Sequence, residues 1–103
     1  LYDTRQFTAA VRQATRTDNA PLVLHGMGKD GKGIKFMVNV DEDLQPLFTL
    51  TPAELEALPG AADVVMSNAD FQQLQGTRLG RLPVVLSGRF DKEDYVLLRL
   101  PAR

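Results

Sequence analysis

A chain of 103 residues with 44% apolar and 24% charged residues has the size and composition of one folded domain, and intrinsic disorder does not fit it. It has no cysteine and a single histidine, which excludes disulfide frameworks, thiolate chemistry and any multi-His metal site. The net charge of −1 favours no class of partner, and no run approaches the ~20 apolar residues of a membrane-spanning helix.

The chain begins on Leu1 rather than Met, so an upstream stretch is expected to have been removed. The expected compartment is the cytoplasm. Charge is distributed unevenly. Residues 1–40 and 71–103 are each net basic, whereas residues 41–70 hold seven carboxylates and neither Lys nor Arg. Such segregation points to an oriented encounter with a partner, or to head-to-tail self-association.

The spacing predicts a first helix over roughly Thr4 to Arg16. Asp3 is placed to cap it, with Gln6 as the return partner of a capping box and Tyr2 and Phe7 as a hydrophobic staple. Phe7, Ala10, Val11 and Ala14 form its apolar face. Arg5, Arg12 and Arg16 fall on the opposite face. Asp18-Asn19-Ala20-Pro21 ends the helix, because the residue before Pro is biased away from α.

A β-hairpin is predicted next. Leu22 to His25 reads as one strand. Ile34, Phe36, Val38 and Val40 alternate with Lys35, Met37 and Asn39, the period-2 pattern of a half-exposed second strand. Residues 26–33 join them with four glycines and with Lys29 and Lys32, as a mobile, solvated hairpin tip. A phosphate-binding P-loop is set aside, because no Ser or Thr follows either Gly-Lys pair and a strand, not a helix, is expected to come next.

His25 is the one candidate for acid–base chemistry. Spacing alone supplies it with no partner, so a structural or surface role is expected. Asp41-Glu42-Asp43 offers carboxylates to a hard cation. Leu44-Gln45-Pro46 then stands where an EF-hand needs ligands and its turn glycine, so the cluster reads as a solvated turn.

Leu47 to Leu50 is expected to be a short extended piece. Thr51-Pro52-Ala53-Glu54 opens a second helix, with Thr as cap, Pro at the first position and Glu at the third. Pro59-Gly60 ends that helix. Ala62 to Met66 is a short strand, and Ser67 caps a third helix that Gly76 closes. Pro83 to Phe90 and Tyr95 to Leu100 form a hairpin around Asp91-Lys92-Glu93-Asp94. Ser87-Gly88 lies inside the first of these strands and lacks the leading glycine of a nucleophile elbow.

The expected fold is therefore α+β, in the order α-β-β-α-β-α-β-β. A mainly antiparallel sheet of four or five strands carries its helices on one face. The expected core is Phe7, Val11, Leu22, Leu24, Phe36, Val38, Leu55, Leu58, Phe71, Leu74, Val84, Leu86 and Leu98.

The expected function is a non-catalytic protein-interaction domain of adaptor, regulatory or immunity type, with no cofactor and no metal, binding another protein or a second copy of itself. Its candidate binding residues are Arg5, Arg12, Arg16, Lys29, Lys32, Lys35, Asp41, Glu42 and Asp43. The alternative is a nucleic-acid-associated domain that uses the Arg5/Arg12/Arg16 face and the Lys29/Lys32/Lys35 hairpin. An enzyme built on His25 ranks third.

Overall fold

The computed structural model describes residues 2–17, 19–40 and 44–103. Helix α1 spans Thr4–Thr15. The Asp3 carboxylate accepts the Gln6 N–H at 2.9 Å, and the Gln6 side chain accepts the Asp3 N–H at 3.0 Å. The capping box read from the sequence thus closes in both directions. There follow β1 (Leu22–His25), a π-helical turn at Gly28–Lys32, α2 (Gly33–Val40), β2 (Leu47–Thr49), α3 (Pro52–Glu56) and β3 (Ala62–Ser67). The chain continues through α4 (Asn68–Gln73), a 3₁₀ turn at Leu79–Arg81, β4 (Val84–Phe90) and β5 (Glu93–Leu100).

The five strands form one sheet in the order β2-β1-β3-β5-β4. β1 pairs in parallel with both β2 and β3, while β5 runs antiparallel to β3 and β4. The α+β class holds, but the sheet is mixed rather than mainly antiparallel. The expected first hairpin does not exist. Residues 33–40 are a helix, and parallel strands such as β1 and β2 need a crossover of this kind where antiparallel ones need only a turn.

The helices cover both faces of the sheet, not one. Side chains alternate along each strand, so neighbouring residues enter different cores. Leu24, Val65 and Leu97 pack with Phe7 and Val11 of α1 and Phe36 of α2. Val23, Val64, Met66, Val96 and Leu98 pack on the other face with Leu55 of α3 and Phe71 and Leu74 of α4. Phe90 anchors the first core, its ring edge-on to Phe36 at 5.6 Å and to Tyr95 at 5.1 Å. Of the expected core, Leu22, Leu58 and Leu86 pack at its margin. Val38 and Val84 are 70% and 48% exposed and lie outside it.

Both edges of the sheet are guarded. β2 offers only three residues. On β4, Tyr2 forms a parallel bridge with Gly88 and accepts the Arg89 N–H at 2.7 Å. A register irregularity between Val84 and Leu86 breaks the ladder further along. Short edges and bulges are the usual means of blocking strand addition, so self-association by strand pairing finds little room.

Candidate functional site

The carboxyl ends of β1, β2 and β3 meet at one side of the sheet. β1 is flanked by β2, reached through α2 on one face, and by β3, reached through α3 on the other. Connections that leave on opposite faces open a crevice at the strand ends, where α/β sheets hold their ligands.

His25 closes β1 there and is 5% exposed. The parallel register sets it directly beside Thr49 of β2, and its Nδ1 lies 2.7 Å from Thr49 Oγ1. Gly26 follows with φ +76°, and a Cβ there would come within 2.5 Å of Asp70 Oδ2. Glycine is required at this point twice over, for its left-handed conformation and for the approach of the Asp70 carboxylate. Asp70 itself stands in the first turn of α4, behind the Ser67 cap. Glu54 stands in the first turn of α3 and closes that helix's capping box with Thr51.

Burial holds the His25 imidazole below its ordinary value, against the upward pull of Asp70 and then Glu54. Backbone N–H groups of Leu50 and Thr51 hold Glu54 below the usual carboxylate range. In the turn that follows β1, Lys32 donates to Glu93 at 2.6 Å and lies over the Tyr95 ring. That hydrogen bond raises the Lys32 ammonium, while burial raises the Tyr95 phenol.

The His25 shift fixes a pH dependence. A lowered folded-state value means that the unfolded chain takes up its proton first, so the contribution is fully present above about pH 6.5 and is lost as pH falls below it. The urea midpoint of the native protein should decline between pH 7 and pH 5, and that of His25→Gln should stay flatter. Parallel slopes for the two proteins would show that His25 is not the group responsible.

At the opposite end of the sheet lies a cleft of about 570 Å³, walled by Ala20, Pro21, Ala62 and Pro101, with Asp63 and Arg99 at its base. Asp63 is fully buried and faces Arg99 across the β3–β5 pair, accepting from its Nε at 3.0 Å. Arg99 also donates to the Ala14 carbonyl in the last turn of α1. The pair therefore ties α1 to the sheet, a favourable place for a cation at a helix C-terminus.

The described side chains among the sequence-predicted binding residues lie on α1 and on the π-helical turn with α2. Arg5, Arg12 and Arg16 stay on α1, with Arg5 and Arg16 exposed and Arg12 half-buried. Lys32 belongs to the π-helical turn and Lys35 to α2, and each is paired, Lys32 with Glu93 and Lys35 with Asp91 at 2.5 Å. Lys29 sits in the same turn, and the position of its side chain is outside what is described. Asp41, Glu42 and Asp43 lie outside the described residues. Three of the other carboxylates from 41–70 are bound up locally, Asp63 by Arg99, Glu56 by Arg78 and Glu54 by its capping box. No group of three potential metal-ligating residues occurs among the described residues.

The grouping of His25, Thr49 and Asp70 was missed because its members come from the ends of β1 and β2 and from the first turn of α4. A parallel β1–β2 pair would have revealed it. Comparison of the chain with protein-family models, with curated proteins and with solved structures finds no match in any of the three.

Proposed function

We propose that this is a non-catalytic interaction domain that docks a partner protein on the outer face of α2. One observation carries the reading. Helix α2 is apolar on two sides, and the chain buries only one of them. Phe36 is fully buried, whereas Ile34 and Val38, one turn apart on the same helix, are 51% and 70% exposed. A helix that is apolar nearly all round normally sits within a larger core.

Leu47 and Leu50, 44% and 64% exposed, add apolar surface at the β2 edge of the sheet, where Leu47 alternates with Phe48 and so leaves the sheet on the face away from α2. Exposed apolar groups gathered on one side mark interaction surfaces, whereas scattered ones do not. The nucleic-acid alternative draws less support, because Lys32 and Lys35 already neutralise carboxylates of the chain itself.

Ile34→Glu combined with Val38→Glu tests the docking face. Both positions are exposed, so stability should change by less than about 0.5 kcal/mol per substitution. A photo-crosslinker in place of Val38, used in the native host, should give a discrete adduct that Ile34→Glu in the same chain abolishes. An adduct of twice the chain mass identifies a second copy as the partner. Adducts no stronger than those from a crosslinker at the exposed Lys92, or adducts unchanged by Ile34→Glu, would overturn the reading.

A further inference from the structure

The crevice at the carboxyl ends of the parallel strands has features that a docking face on α2 does not use. His25 is nine-tenths buried and directs one ring nitrogen to Thr49. Its Nε2 has no hydrogen-bond partner among the described residues. Asp70 is half-buried, and its carboxylate has no ion-pair partner among the described residues. That carboxylate instead lies against Gly26, a position open to it only because residue 26 lacks a side chain. Two polar groups with unused hydrogen-bonding capacity thus adjoin at a strand-end crevice, where a ligand can satisfy both.

The sign of the charge selects the ligand. The groups that face His25 from the neighbouring elements are Thr49 of β2, Glu54 of α3 and Asp70 of α4, and both charged ones are acids. Lys32 of the turn that follows β1 is committed to Glu93. We propose that the crevice binds a small molecule carrying a protonated amine, with the Asp70 carboxylate as counter-ion and His25 Nε2 accepting a second hydrogen bond. Binding then selects the tautomer in which Nδ1–H donates to Thr49 and Nε2 keeps its lone pair.

The competing reading is an anion site. Gly26-x-Gly28-x-x-Gly31 follows a strand and leads into α2, the spacing of phosphate-binding turns. The Asp70 carboxylate against Gly26 opposes a phosphate there by like charge.

The test is a titration of the folded protein followed by NMR, reading the amide of Gly26 and the ring nitrogens of His25, with 1,4-diaminobutane as probe at matched ionic strength. Saturable shifts are expected, together with a His25 nitrogen pattern that moves to the Nδ1–H tautomer. Asp70→Asn should weaken the probe by at least about tenfold, since it removes a charge-assisted hydrogen bond. Its amide spectrum shows independently that it is folded. Lowering the pH through the His25 titration should also release the probe. Shifts no larger than those from sodium chloride, equal affinity for Asp70→Asn, or saturable binding of inorganic phosphate in place of the amine would each overturn the proposal.

Discussion

Phe36→Ala should lower the free energy of unfolding by about 3–5 kcal/mol, the usual cost of emptying a buried aromatic site. A domain of this size has about 5–15 kcal/mol in total, so the variant should sit close to its unfolding threshold. The Phe36 ring is fully buried and stacks edge-on against Phe90, and nothing smaller than an aromatic spans that gap. Ile34→Ala and Val38→Ala provide the contrast. In a strand, 34, 36 and 38 would share one face and all three would be costly. In the helix, two of them face solvent, so each alanine should change stability by less than about 0.5 kcal/mol. Urea denaturation of the three variants distinguishes the two. Three comparable losses would mean that residues 33–40 are extended after all.

Gly33→Ala is the second large effect, and here two terms compete. Alanine in place of glycine inside a helix gains about 1 kcal/mol of propensity. A Cβ at 33, however, would fall inside contact distance of the Gly28 carbonyl oxygen and 2.6 Å from Phe48 Cε1. The Phe48 ring can shift, but the Gly28 oxygen is backbone and closes the π-helical turn by accepting the Gly33 N–H. Overpacking costs about 1–3 kcal/mol, occasionally more, so set against the propensity gain the variant should lose up to about 2 kcal/mol net. Gly60→Ala is the control, because a Cβ there meets nothing within 4 Å. A stabilised Gly33→Ala protein would mean that α2 does not pack on β2 as described.

The elements with strong end signals were legible from the chain alone. Asp3 with Gln6, Thr51 with Glu54, and Ser67 each cap the helix expected of them. A cap is a local hydrogen bond and needs no knowledge of the fold. The β4–β5 hairpin was legible too, but its turn is two residues rather than four: Asp91 and Lys92 stand at positive φ, and Glu93 and Asp94 already pair within β5.

Residues 33–40 were not legible. Gly33, Phe36 and Val40 satisfy a helical spacing while Ile34, Phe36, Val38 and Val40 satisfy a strand's, and the β-branched residues tilt local preference toward the strand. What decides is distant: β2 lies parallel to β1, and the connection must return over the sheet. The candidate crevice was hidden by the same fact. Thr49 and Asp70 lie 24 and 45 residues after His25 along the chain, and the parallel order of β1, β2 and β3, with α4 directly after β3, brings them together. Within the acidic block of residues 41–70, Asp63 and Glu56 pair with Arg99 and Arg78 from later elements and Glu54 closes a helix cap, partners that the run of charges alone does not reveal.

The placement of β1 between β2 and β3 has a consequence for how the molecule assembles. Both strands that flank it come later in the chain, by about 20 and 40 residues, so β1 leaves the ribosome before anything exists for it to pair with. The β4–β5 hairpin, by contrast, joins neighbours in sequence and closes in microseconds on the general scale for hairpins. β3 then adds to β5 across an intervening stretch that contains α4 and the 3₁₀ turn. Loop-closure entropy must be met before the long-range parallel pairs return any stability. The C-terminal half is thus the natural nucleus, with β1 adding to the edge of β3 and β2 closing on β1 last. During that interval Val23, Leu24 and the Gly-rich turn behind them are the most exposed part of the chain, and a holding chaperone would find its target there rather than in the hairpin.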